Sequence, residues 1–113
     1  MDISLNGFGE KAVTFAAADG VLAGMPVKLT ASGTVGPCAA GDVFCGVALN
    51  VRGGYASVQL GGYVILPFNG TAPAVGYQSL AAAAGGKIAA GETGRSLLVT
   101  DVDEAAKTCG IIL

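Results

Sequence analysis

The sequence predicts an all-β domain: a small barrel-like or β-sandwich fold of about eight to ten short strands, with an internal duplication and a flexible N-terminal arm. Three observations lead there. A short-strand pattern occurs twice. Gly24-Met25-Pro26-Val27-Lys28-Leu29, Thr34-Val35, Val47-Ala48-Leu49 and Val58-Gln59-Leu60 are matched by Gly76-Tyr77-Gln78-Ser79-Leu80, Lys87-Ile88, Leu98-Val99-Thr100 and Ile111-Ile112-Leu113, at offsets of 51 to 53 residues. Units of roughly fifty residues repeated in this way mark repeated supersecondary structure. The nineteen glycines break the chain into segments too short for helices of ordinary length. Finally, the apolar residues alternate with polar ones over four to six positions, the period of a half-buried strand.

Along the chain, residues 1–10 contain Asn6-Gly7-Phe8-Gly9 and few β-branched residues, and are expected to form an arm anchored by Ile3, Leu5 and Phe8. Residues 11–113 then form a single β domain. Lys11 to Ala17 reads as a strand, with Val13 and Phe15 on one side, and Asp19-Gly20 as the turn after it. In Pro26 to Thr30, Val27 and Leu29 are expected inward and Lys28 and Thr30 outward. Pro26 suits a strand start because it has no N–H for the ladder. Ser32-Gly33 turns the chain into Thr34-Val35. Val43 to Val51 is almost continuously apolar, the pattern of a strand buried on both faces. After Arg52-Gly53-Gly54, Tyr55 to Leu60 places Ala56, Val58 and Leu60 on one face. Gly61-Gly62 leads to Tyr63-Val64-Ile65-Leu66-Pro67-Phe68, the most apolar segment, which Asn69-Gly70 ends. Ser79 to Ala84 has high helix propensity but meets Gly85-Gly86 within two turns, so strand and irregular structure are equally open. Leu97 to Val102 reads as a strand, Asp103 to Lys107 as one helical turn capped by Asp103, and Cys109 to Leu113 as a closing strand. Two similar halves are compatible with a single barrel or with two packed sheets.

Composition narrows the function. Eight acidic and six basic residues give a net charge of −2, with no basic stripe, so nucleic acid is not an expected partner. Charged residues make up 12% of the chain, against about 25% in ordinary soluble domains. So little charge on a small domain implies surface that another chain covers. Residues 53–86 carry no charge, but glycines, prolines, Asn69 and glutamines interrupt them, so no membrane span is expected. The first residues lack the basic and apolar regions of a secretion signal. Cys38, Cys45 and Cys109 read as reduced, buried thiols, although Cys38 and Cys45 could face each other across a hairpin turning at Ala39 to Asp42. Without histidine, and with three cysteines, neither a closed zinc site nor a cofactor is expected.

The chemical motifs are weak. Gly91 to Ser96 echoes a phosphate loop but has Ala89 and Arg95 where that loop needs glycine and lysine. Asp101, Asp103 and Glu104 lack the glycine and distal glutamate of a calcium loop and read as a solvated turn. Asn69-Gly70-Thr71 reads as a turn. No base is spaced to activate a serine or cysteine, so no catalytic residues are assigned and an enzyme is not expected.

The chain resembles the head-decoration, or capsid cement, proteins of tailed bacteriophages. The resemblance runs from about Asp19 to Leu113. It rests on Ala18-Asp19-Gly20-Val21-Leu22-Ala23-Gly24-Met25-Pro26-Val27, on Gly46-Val47-Ala48 after Gly41-Asp42, and on Ala56 to Pro67, with a weaker echo at Gly85-Gly86-Lys87-Ile88. Where the family has Gly-Asp before the second-half strand, this chain has Val75-Gly76-Tyr77. The resemblance implies a structural virion protein on the outer surface of a capsid, made in the cytoplasm of the host bacterium. Its partner would be the major capsid protein, and it would form a homotrimer at least on the shell. Ile3, Leu5, Phe8 and Lys11 are the expected capsid contacts, and Tyr63, Phe68 and Tyr77 the expected subunit contacts. A small β-barrel module binding a ligand or glycan, or a minor tail component, are the alternatives.

Overall fold

The computed structural model describes residues 11–91 and 94–113. The expected N-terminal arm, with Ile3, Leu5 and Phe8, lies outside the described residues. The described residues are all-β, with ten strands in two sheets. They are β1 (Lys11–Ala17), β2 (Pro26–Ala31), β3 (Thr34–Pro37), β4 (Gly46–Arg52), β5 (Tyr55–Gly61), β6 (Tyr63–Pro67), β7 (Gly76–Ala83), β8 (Lys87–Ala90), β9 (Arg95–Asp103) and β10 (Thr108–Ile112).

The first five strands close into a barrel in the order β1-β3-β2-β4-β5, with β1 pairing to β5. The last five form a sheet in the order β6-β10-β9-β7-β8. A parallel bridge between Phe68, just past β6, and Ile88 of β8 joins its two edges. Read round from β6 through that bridge, the order is β6-β8-β7-β9-β10, which is the order of the first half strand for strand. The repeat legible in the sequence is therefore a repeat of topology.

The two closures differ by one proline. In the first half, the Ala16 N–H donates to the Gly33 carbonyl at 3.0 Å and the Ala18 N–H to the Val35 carbonyl at 2.8 Å. In the second, Asn69 takes the place of Ala18 and donates to the Ile88 carbonyl at 2.8 Å. Pro67 takes the place of Ala16 and has no N–H to offer Gly86, the counterpart of Gly33. The seam there is correspondingly a single bridge.

Two apolar clusters hold the halves. Val21, Val27, Val35, Ala48, Ala56 and Val58 fill the barrel. The second cluster contains Leu66, Phe68, Leu80, Ile88, Leu97, Val99 and Ile111, and it also takes in Phe44 and Val47 from the first half. Phe44 reaches it because the β3–β4 loop crosses over. The Gly41 N–H donates to the Ala82 carbonyl at 2.8 Å, and the Ala82 N–H donates to the Asp42 carbonyl at 2.9 Å. Asp42 steadies that loop from within: its Oδ2 accepts from Lys28 Nζ at 2.6 Å and from the Ala39 N–H at 2.8 Å. On the far side, Arg95 stacks its guanidinium 5.8 Å from the centre of the Phe44 ring and donates to the Cys45 carbonyl at 3.1 Å. At the turn from β5 to β6 the buried Gln59 amide donates to the carbonyls of Gly61 at 3.0 Å and Tyr63 at 2.9 Å.

Several sequence expectations are corrected. Leu29 is 55% exposed, because burial along β2 fades from Val27 to Ala31 as the strand leaves the core. Val43 to Val51 is not buried on both faces: burial spans Phe44 and Gly46 to Ala48, while Val43, Leu49 and Val51 are exposed. Leu49 is the extra residue of a bulge, since Ala48 pairs with Val58 and Asn50 with Ser57. Ser79 to Ala84 is strand through Ala83, because β7 is paired on both sides by β8 and β9 and that pairing outweighs helix propensity. Asp103 to Lys107 winds no helix: β9 and β10 are paired up to Asp103 and Thr108, leaving a four-residue turn. Asp103 does cap that turn, its Oδ1 accepting from the Ala106 N–H at 3.1 Å. All three cysteines are free, Cys109 buried and Cys38 and Cys45 half-buried.

Because Phe44 completes the core of the other half, Phe44→Ala is expected to cost about 3–5 kcal/mol in urea unfolding and to destabilise both halves together. Separate transitions for the two halves would contradict this coupling. The Lys28 hydrogen bond, and then the Ala39 N–H, hold the Asp42 carboxyl below its ordinary pKa. A group depressed in the folded state stabilises above its unfolded pKa and stops doing so as pH falls through the folded value. Stability is therefore expected to drop below about pH 4, with a smaller drop in Asp42→Asn; equal acid profiles would refute the contribution.

Candidate interaction surface

The outer face of the second sheet carries a continuous apolar row. Tyr77 of β7 pairs with Leu98 of β9, Leu98 with Ile112 of β10, and Ile112 with Tyr63 of β6. Directly opposed residues of a sheet share a face, so these four side chains lie side by side across about 14 Å. Tyr77 is 75% exposed at one end, and Leu98, Ile112 and Tyr63 are half-buried. Ile65, two residues beyond Tyr63 on the same face, is 55% exposed. The opposite face of the same strands carries Ile111 and Val99, both in the core.

Two local features shape this surface. β9 carries one extra residue at Thr100, because Gly110 pairs with Asp101 and Ile111 with Val99. Strict alternation would put Asp101 on the core side with Val99; the bulge turns it outward beside Tyr63. The Tyr63 hydroxyl donates to Asp101 Oδ1 at 3.0 Å, and the Thr100 hydroxyl donates to the same oxygen at 2.6 Å. The tyrosine lies over Gly110, where any side chain would collide with the Tyr63 hydroxyl and with Asp101. Burial, and then the Asp101 hydrogen bond, push the Tyr63 phenol above its ordinary pKa.

The sequence-predicted residues separate clearly. Tyr63 and Tyr77 stand at the two ends of one row. Phe68 does not belong with them: it is 3% exposed, packed in the second core with its N–H donating to the Lys107 carbonyl at 3.0 Å. Alternation along the strand from Tyr63 puts Phe68 on the opposite, core-facing side with Leu66, and the bridge to Ile88 holds it there. Lys11 is exposed at the start of β1, paired with Gly61 two residues before Tyr63. Leu98, Ile112 and Ile65 were missed, because strand pairing alone sets them beside the tyrosines. The barrel half exposes Val13, Leu29, Leu49, Val51 and Tyr55.

The described residues include all three cysteines and the acidic side chains Asp19, Asp42, Asp101, Asp103 and Glu104. Among them no three histidine, cysteine or acidic side chains converge on a point that could hold a metal ion. Burial pushes the Cys38 and Cys109 thiols up to about 11 and raises Cys45, so all three stay protonated at neutral pH. Fold and surface together define a duplicated all-β module whose second sheet carries an outer apolar row between two tyrosines, with Asp101 bonded to one of them. No protein-family model matches the chain, and no curated protein matches it in sequence.

The Tyr63 phenol gives a direct test of this geometry. With a folded pKa above the unfolded one, its contribution is present below about pH 10 and is lost as pH rises through the folded value. Replacing Asp101 by Asn should lower the ionisation pH of Tyr63, followed through its ring resonances in NMR. An unaltered Tyr63 titration would rule out the hydrogen bond.

Proposed function

We propose that this protein is a structural virion component that binds the outer surface of a bacteriophage capsid and stabilises it, with the major capsid protein as its partner. The observation that carries this reading is the row Tyr77–Leu98–Ile112–Tyr63 on the outer face of the second sheet. Partner-covered surfaces favour aromatic residues and lack charge at their centre, and this chain has few charged residues to place elsewhere. The resemblance of residues 19–113 to capsid decoration proteins supports the same reading, with the row as the contact between subunits of a trimer on the shell. Ile3, Leu5, Phe8 and Lys11 are then the contacts to the coat.

The reading as a glycan-binding module is less well supported. The groove between the halves is lined by Leu22, Ala23, Gly24, Met25, Cys38, Pro67, Gly85 and Gly86. None of these side chains has a hydroxyl, amide or charge with which to hold sugar hydroxyls. A minor tail component is separated from a decoration protein by copy number.

The test combines light scattering with binding to expanded phage shells. A trimer in solution or on the shell, saturating near one copy per coat subunit, is the expected result; a few copies per particle would favour a tail part. Tyr77→Asp should weaken assembly or shell binding by about tenfold or more. Deleting residues 1–10 should leave the fold intact and abolish shell binding, and undiminished occupancy on shells would overturn the assignment of those contacts.

A further inference from the structure

The row Tyr63–Ile112–Leu98–Tyr77 has a counterpart in the first half. Ala12 of β1 pairs with Gln59 of β5, Gln59 with Val47 of β4, and Val47 with Pro26 of β2. These four residues precede the members of the row by 51 to 53 positions and lie on the corresponding strands in the same order. Their surroundings differ. Pro26, Val47 and Gln59 are each no more than 2% exposed. Val47 packs in the core of the second half, and the Gln59 amide donates to the Tyr63 carbonyl at 2.9 Å. The first-half row is therefore covered by the other half of the chain, while Tyr77, in the place of Pro26, is 75% exposed.

The other side of that contact is equally unbalanced. Phe44 and Val47 pack in one cluster with Leu80 and Ala82 of β7. Leu80 to Ala83 are all buried there, and the Ala82 backbone pairs with Gly41 and Asp42. The corresponding end of β2 has no such cover: Leu29, Thr30 and Ala31 are exposed. β4 pairs with β2 only at Pro26 and Val27, so beyond them this edge of β2 has no strand beside it among the described residues. Lys28 is neutralised there by Asp42 at 2.6 Å, so the end of β2 presents no unpaired charge to a partner. One chain thus makes this half-to-half contact once and leaves a bare copy of each side, the row on the second half and the end of β2 on the first.

We propose that the protein associates with itself head to tail in solution, the row of one copy packing against the Leu29–Ala31 end of β2 in the next, as the first half packs on the second within a chain. Such a contact joins two different patches, so it closes into a ring or runs on as a filament, whereas a row-to-row contact stops at a dimer. It rests on the reading of the row as a contact between copies, and it adds the surface that the row meets.

Tyr77→Asp removes one side of the contact and Leu29→Asp the other. Both residues are exposed, and urea unfolding checks that each variant folds as the wild type does, with Thr30→Glu as a second variant on β2. The measurement is light scattering and sedimentation over a dilution series without shells. Wild type should form assemblies larger than a dimer, and each variant should associate at least about tenfold more weakly. Mixed in equal amounts, Tyr77→Asp and Leu29→Asp should give a 1:1 dimer and nothing larger, at concentrations where either alone is a monomer. Only one intact row and one intact β2 end then remain to meet. If Leu29→Asp and Thr30→Glu assemble like wild type, or the mixture stays monomeric, the head-to-tail contact is overturned and the row is left as a contact of another kind. A wild type that stays monomeric throughout also overturns it, with coat binding still decided by the shell assay.

Discussion

Phe44 lies in the core of the half to which it does not belong, and the rest of the structure depends on that crossing. Each half is a unit of about fifty residues built from strands of four to nine residues. Units of that size bury too small a fraction of their surface to be more than marginally stable alone. Phe44 and Val47 join Leu66, Leu80, Ile88 and Ile111, so the second core is completed by the first half. The backbone pairing at Gly41, Asp42 and Ala82 fixes the crossing, and Arg95 covers the ring from outside. Two similar units thereby become one packed protein.

The duplication is kept in strand order and broken in detail, and the breaks fall where surface features lie. Pro67 in place of Ala16 removes one donor from the second seam, and a groove opens there. The extra residue at Thr100 turns Asp101 outward to meet Tyr63, and Gly110 leaves room for the ring between them. The bulge at Leu49 likewise puts an apolar residue on the outside of the barrel. Each feature follows from a single residue acting on a hydrogen-bonded ladder. A ladder cannot absorb an extra residue or a missing N–H without redirecting its neighbours.

The resulting surface explains why low charge can accompany a folded domain of this kind. Strand pairing collects Tyr77, Leu98, Ile112 and Tyr63, which are spread along the second half of the chain, into one apolar strip with Asp101 at its Tyr63 end. A strip of this composition resembles the centre of a protein interface, and it is the physical basis for reading the chain as a subunit that works while covered by others.

The fold class, the repeat and most strand positions were determined by local sequence, because alternation and glycine or Asn-Gly turns act over a few residues. Lys11–Ala17 was legible to the residue, as was the inward face of Ala56 and Val58. Of the candidate surface, the two tyrosines at its ends were legible as aromatics that interfaces favour. What joins them was not, because Leu98 and Ile112 become their neighbours only through pairings across long stretches of chain. Phe68 was misplaced for a different reason: it lies an odd number of residues from Tyr63, so strand alternation sends it to the core face with Leu66. Ser79 to Ala83 was left open locally, and it became strand because partners on both sides demanded it. The sequence by itself thus determined the strands and their repetition. The tertiary structure alone decided which residues share a face, which half holds Phe44 and where the seam stays open, since those depend on hydrogen-bond register between segments that local pattern does not encode.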